Sequence, residues 1–169
     1  SIEIFALDGL VDADALSLVS GTVSSLTLNT LPSLQHLPPL SDTLSIGDES
    51  AGSIGLIDLP LIDSLSPLGS ADLGYLTYLR VTRLPSLTAI DLSASTAQLH
   101  DILLQDTPLL DDLSAFQDLT SLDDLWLFGT GLVDLSAFSS LTTVAELNLV
   151  GNEALVDPSF PSLVLVEEA

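Results

Sequence analysis

The sequence predicts a mainly β fold, a right-handed parallel solenoid of about seven leucine-rich coils with little α-helix. A pair of apolar residues separated by one position returns seven times, at spacings of 22 to 28 residues. No segment carries the i, i+3, i+4, i+7 apolar stripe of an amphipathic helix over about ten or more positions. The seven pairs begin at Ile2, Leu26, Ile54, Leu79, Ile102, Leu125 and Leu147.

Each coil is predicted to open with a short strand, because its first and third places are apolar and a strand alternates its side chains with period two. A further apolar residue at the ninth place, often with others at the sixth and twelfth, predicts a non-helical return segment. Proline lacks the N–H needed for a strand ladder. It should therefore mark the end of four strands, at the seventh-place residues Pro32, Pro60, Pro85 and Pro108.

The later coils resemble the repeats of a known family. Residues 119–138, L-T-S-L-D-D-L-W-L-F-G-T-G-L-V-D-L-S-A-F, resemble the 22-residue repeat of internalin-type bacterial leucine-rich repeat proteins, and residues 141–155 are similar to receptor L domain repeats. The resemblance implies a bacterial extracellular or cell-surface binding scaffold. Asn152 is the only asparagine at the strand-end place where such repeats usually carry one, and Thr107 and Thr130 occupy matching places.

We expect residues 1–169 to form a single leucine-rich repeat domain without obvious terminal caps, since a strand opens the chain and a return segment closes it. Residues 47–53 are polar and flanked by glycine, which predicts a protruding loop. Leu44 and Ile46 just before this loop are candidates for an additional strand. Residues 1–4 show no signal-peptide pattern.

The composition limits the partners. There are 24 acidic residues against two arginines, with a formal net charge of −22, so nucleic acid and anionic membrane surfaces should be repelled. No apolar run reaches the roughly 18 residues of a membrane span, so membrane insertion is not expected. The absence of cysteine excludes disulfides and thiolate metal sites.

Two columns of carboxylates are predicted, because equivalent places in stacked coils lie about 4.8 Å apart. A solvated acidic face is the simpler interpretation, and a surface Ca²⁺ site with oxygen ligands is the alternative. No other cofactor is predicted. One column directly precedes three of the predicted strands and consists of Asp101, Asp124 and Glu146. The other follows the same strands and consists of Asp112, Asp134 and Asp157.

The second and fourth places of each strand should point away from the core. There Leu103, Trp126, Phe128 and Val150 are expected to form a contiguous outward apolar patch beside Arg80, typical of a partner-binding surface. The alternative is that this face of the sheet is covered. The fifth places of three consecutive coils hold Asp58, Arg83 and Asp106. If the coils are aligned correctly, Arg83 should lie between the two aspartates and pair with them across the strands.

Three functions follow in order of support. The first is a non-catalytic extracellular or cell-surface scaffold that binds or adheres to another protein. The second is a structural subunit that stacks head to tail on copies of itself, forming a filament or surface layer. An enzyme is the least supported, since the only neutral-pH bases, His36 and His100, occupy different places in coils that are not adjacent.

Overall fold

Strands dominate the secondary structure. The computed structural model describes residues 1–92 and 96–168. Four short 3-10 helices, Asp14–Leu18, Ser66–Ser70, Ser114–Phe116 and Ser136–Phe138, are the only helices within these ranges, so the expectation of little α-helix is confirmed there. The strands are β1 Ile2–Phe5, β2 Gly21–Val23, β3 Ser25–Asn29, β4 Leu44–Ile46, β5 Gly52–Ile57, β6 Leu76–Thr82, β7 Asp101–Thr107, β8 Ser121–Thr130, β9 Thr143–Val150 and β10 Leu165–Glu168.

Eight of these strands form one parallel sheet in the order β1-β3-β5-β6-β7-β8-β9-β10. The sheet is open, with β1 and β10 at its two edges. The remaining two strands, β2 and β4, form a separate parallel pair. Because neighbouring strands of the large sheet are parallel, the chain returns along the sheet before each new strand.

The strand register is the one that the sequence repeat predicts. Each first-place residue pairs with the first-place residue of the next repeat, in the series Ile2, Leu26, Ile54, Leu79, Ile102, Leu125 and Leu147. The seven predicted strands and their parallel order are therefore confirmed. All four seventh-place prolines lie after the strands β3, β5, β6 and β7, as expected.

The core lies on the side of the sheet to which the first and third places point. In the sixth repeat, Leu125, Leu127, Leu132 and Leu135 are all buried. The ninth-place residue of this repeat, Val133, is 52% exposed, and Leu132 takes the core position. The return begins one residue earlier here. Gly131 permits this turn, since a Cβ at that position would lie 2.3 Å from the Pro108 carbonyl oxygen.

The return segments contribute an aromatic column that the repeat pattern does not reveal. The rings of Phe116 and Phe138 are stacked with centroids 5.9 Å apart, and Phe160 follows at 6.1 Å from Phe138. Phe116 and Phe138 are fully buried within 3-10 helices. Buried aromatic rings of this size supply much of the apolar area that holds neighbouring repeats together.

A left-handed backbone residue ends the strand segment of every repeat. The fifth places all have positive φ, at Ala6, Thr30, Asp58, Arg83, Asp106, Gly129 and Gly151. Only the last two are glycines, for which this conformation carries no steric cost. The other five hold it against the preference of an L-residue, so the surrounding hydrogen bonds must maintain the turn.

Two irregular segments differ in part from expectation. Leu44 and Ile46 lie in β4, which confirms the additional strand, but the loop is shorter than predicted because β5 already begins at Gly52. The return segment expected at the C-terminal end is wrong for residues 165–168, which form β10 against β9. The backbone N–H and C=O groups along that side of β9 would otherwise lack partners.

Candidate interaction surface

The outward face of the sheet brings the five predicted partner-binding residues together. Leu103 pairs with Arg80 on one side and with Trp126 on the other. Phe128 pairs with Val150 on β9 and lies two positions from Trp126 on the same face of β8. We call this set, Arg80, Leu103, Trp126, Phe128 and Val150, the aromatic patch.

The members of the aromatic patch differ in exposure. Val150 is 58% exposed, and Arg80, Trp126 and Phe128 are partly buried. Leu103 is only 8% exposed, so its expected role as an outward contact residue needs correction. It lies between the longer side chains of Arg80 and Trp126, in the register given above, and supports the patch from within.

Trp126 is held in place by a hydrogen bond to the next strand. Its indole Nε1 donates to Glu146 Oε1 at 2.9 Å. The sequence pattern placed these two residues in separate sets, one apolar and one acidic. They are diagonal neighbours, because Trp126 pairs with Asn148 and Glu146 lies two residues before Asn148. Comparing diagonal as well as direct neighbours would have found the contact.

Arg80 makes no ion pair within residues 1–92 and 96–168. Its Nε donates to Thr82 Oγ1 at 3.3 Å, along its own strand, and Thr82 is buried beneath it. The other arginine, Arg83, is neutralised by Asp58. Arg80 is thus a cation without a carboxylate partner in the described part of a strongly acidic protein.

A row of carboxylates, which we call the acidic edge, borders the aromatic patch. Asp101 pairs with Asp124, and Asp124 pairs with Glu146. Burial is the main cause that raises the pKa of both aspartates, and the charge of Asp123 adds to it. For Asp124 the charges of Asp101 and Glu146 raise the pKa further. His100 offsets part of this effect at Asp101, whereas no cationic group of the described residues offsets it at Asp124.

The second predicted acidic column has a local structural role. Each of its carboxylates accepts a hydrogen bond from the serine N–H two residues later: Asp112 from Ser114 at 2.8 Å, Asp134 from Ser136 at 2.9 Å, and Asp157 from Ser159 at 3.0 Å. These serine hydrogen bonds lower the pKa of all three aspartates. Such turns satisfy backbone donors where each return segment begins.

The two acidic columns remain predictions as Ca²⁺ sites. Within residues 1–92 and 96–168 no three or more histidine or acidic side chains are grouped closely enough to hold a metal ion. In the acidic edge, one carboxylate oxygen of Glu146 already accepts a hydrogen bond from Trp126. In the other column, Asp134 and Asp157 share a parallel bridge, but one oxygen of each is engaged by its own turn.

The two histidines lie apart from the aromatic patch in pairs with aspartate. His36 Nε2 is 3.4 Å from Asp14 Oδ1, and His100 Nδ1 is 3.4 Å from Asp123 Oδ2. Both imidazoles are more than half exposed. They lie in different repeats, and each contacts its own carboxylate.

Comparison of the chain with known proteins gave no match. No family model, no curated protein and no solved structure matches it. Among the described residues there is no helix with the length and apolar character that crossing a membrane requires.

Proposed function

We propose that the protein is a non-catalytic binding or adhesion scaffold, extracellular or on a bacterial cell surface, built as a right-handed leucine-rich repeat solenoid. The support for the architecture is the first-place register, in which seven strands at spacings of 22 to 28 residues pair in sequence order. Parallel strands joined by returns of this kind are typical of stacked repeats, whose broad faces serve as binding surfaces.

The aromatic patch is the observation that carries the proposed function. Trp126 and Phe128 lie side by side on β8, and the bond to Glu146 limits the motion of the indole. A side chain that is already ordered loses little conformational entropy on binding. Tryptophan and arginine are also the residue types that most often dominate binding energies at protein interfaces.

The test compares variants for binding to intact cells of the organism that encodes the protein. Labelled Trp126→Ala protein should retain its fold, because Trp126 lies outside the core, and should lose at least about fivefold in saturable cell binding. Leu61→Ala is the matched control, since Leu61 is 48% exposed and lies after β5, away from the aromatic patch. Equal binding by all three proteins, or unfolding of Trp126→Ala, contradicts the proposal.

A second candidate function, head-to-tail stacking of copies, is supported by the two edges of the sheet. Beside β1 an apolar cavity of about 400 Å³ is lined by Ile4, Phe5, Leu7 and Leu16, among others. Near the other edge Val156 is 78% exposed. A largely apolar cavity at one edge, with Glu3 and Asp12 also in its lining, and an exposed valine near the other edge favour a contact that propagates without closing.

Sedimentation across ionic strength and Ca²⁺ concentration tests the stacking. Because each subunit carries a charge of −22, added salt or Ca²⁺ should promote assembly, and Leu7→Glu should prevent it by placing a charge in the cavity. Leu109→Glu, also at an exposed leucine but outside the cavity, is the control. A monomer under all conditions contradicts the stacking, and calorimetric titration with Ca²⁺ tests the acidic columns directly.

A further inference from the structure

The negative charge of the acidic edge beside the aromatic patch is not balanced by arginine or lysine side chains of the described part of the chain. The protein has two arginines and no lysine to set against 24 acidic residues. Arg83 is occupied by Asp58, and Arg80 bonds to Thr82. The acidic edge is partly buried, neither arginine bonds to it, and the nearby His100 pairs with Asp123 beside it. It lies directly beside the aromatic patch, of which Val150 is the exposed apolar member.

We propose that the aromatic patch binds a protein segment carrying a lysine or arginine next to an apolar side chain. The cationic group lies against the Trp126 indole, between Asp124 and Glu146, and the apolar neighbour packs on Phe128 and Val150. This inference rests on the proposed function of the sheet face and specifies the chemistry of the partner.

The geometry favours a cation at this place. The hydrogen bond of 2.9 Å puts the Glu146 carboxylate at the edge of the indole, and Asp124 lies on the adjacent strand about 4.8 Å away. A single ammonium or guanidinium group can contact both carboxylates and the face of the ring, which attracts cations through its quadrupole. Val150 then offers the apolar neighbour an exposed contact surface one strand from Phe128.

Long-range electrostatics selects the same class of partner. A net charge of −22 attracts basic segments and repels acidic ones during the approach. Arg80 lies two strands from Trp126, roughly 10 Å away, so it does not compete for the space between Asp124 and Glu146. Its other N–H groups make no hydrogen bond within residues 1–92 and 96–168, and they are available to a main-chain carbonyl oxygen at the other side of the same segment.

The titration of the acidic edge supplies a second readout. Burial and the charges of Asp101, Glu146 and Asp123 raise the pKa of Asp124. His100, which pairs with Asp123, counteracts the rise at Asp101. A bound cation favours the ionised carboxylate, so its affinity should be highest near pH 7 and fall as the pH drops through the raised pKa. An apolar contact alone has no such dependence.

The experiment uses two blocked probe peptides, Leu-Lys-Leu-Lys-Leu and Leu-Glu-Leu-Glu-Leu, and the fluorescence of Trp126, the only tryptophan in the chain. The lysine peptide should change this fluorescence saturably and bind at least about tenfold more tightly than the glutamate peptide. The double variant Asp124→Asn with Glu146→Gln should weaken the lysine peptide by about tenfold, because the amide oxygen at 146 still holds the indole while both charges are gone.

The matched control is Asp63→Asn with Glu153→Gln, which removes two exposed charges elsewhere. It should change the affinity by less than about twofold. An equal loss in both double variants overturns the inference, since it would indicate attraction by net charge alone. If Ca²⁺ changes the Trp126 fluorescence and the lysine peptide does not, the inference is also overturned, in favour of a metal site at the acidic edge.

The inference and the proposed function fail in different ways. Preferential binding of the glutamate peptide, lost in Phe128→Ala, overturns the basic partner but leaves the aromatic patch as a binding surface. If neither peptide changes the fluorescence or gives heat in calorimetry, and Trp126→Ala also leaves cell binding unchanged, both are overturned.

Discussion

Arg83 and Asp58 form a two-point ion pair between equivalent positions of consecutive repeats. Arg83 Nε donates to Asp58 Oδ1 at 2.5 Å, and Nη2 donates to Oδ2 at 2.6 Å. Asp106, the next member of the column, instead accepts from Gln105 Nε2 at 3.2 Å. The charge pairing expected from the column is confirmed for Asp58, and Asp106 acts on Arg83 only through its field, which helps to raise the pKa of Arg83.

Asp58→Asn should lower the free energy of unfolding by about 0.3 to 1 kcal/mol near pH 7, because the pair is largely exposed. Bonding to Arg83 lowers the pKa of Asp58 from its ordinary 3.8. The stabilisation is therefore present above 3.8 and is lost as the pH falls through the lower pKa of the folded protein. Urea unfolding of both proteins at several pH values checks this, and a difference that persists in about 1 M salt would contradict it.

Thr30→Gly should raise the free energy of unfolding by about 0.5 to 1 kcal/mol. Thr30 is exposed and β-branched, and a φ of 54° is unfavourable for a β-branched residue but carries no steric cost for glycine. Thr27→Gly, in the strand β3 that ends just before Thr30, has no positive φ to relieve and should lose a similar amount. Thermal unfolding of the two variants separates the effects, and a loss in both would show that the turn carries no strain.

Thr107→Val should stabilise the protein by about 1 kcal/mol. Thr107 is fully buried, and its Oγ1 has no hydrogen-bond partner among residues 1–92 and 96–168. Thr130, at the same place in the next repeat, donates its Oγ1 to Asn152 Oδ1 at 2.7 Å, so Thr130→Val should destabilise by a similar amount. Urea midpoints check the pair, and a loss of stability in Thr107→Val would point to a hydrogen bond that Oγ1 makes through water.

Asp124→Asn should stabilise the protein by about 0.2 to 1 kcal/mol near pH 7, since it removes a like charge between Asp101 and Glu146. The raised pKa of Asp124 means that the folded protein binds a proton more readily than the unfolded chain. The wild type consequently gains stability as the pH falls toward 3.8, and the advantage of the variant disappears. Melting temperatures between pH 7 and pH 4 test this sign, and an advantage that is constant with pH would contradict it.

The aromatic patch could be predicted from the sequence only in part. The pattern brought Trp126, Phe128 and Val150 to one face, because side chains alternate along a strand and the register was known. It did not reveal that Leu103 is buried, nor that Glu146 holds the indole. Both depend on the length and direction of side chains on neighbouring strands, which a count of places does not contain.

The sequence by itself determined the order and register of seven strands. A slip of one residue would move Leu125 and Leu127 from the core to the outward face, so the apolar period leaves one favourable alignment. Only the tertiary structure decided what each polar group does: Asp112 stabilises its own turn, Asp58 pairs with Arg83, and Asp124 lies partly buried among like charges. Similar carboxylates differ in this way because hydrogen bonds and burial come from residues that contact them in space, often a full repeat away in the chain.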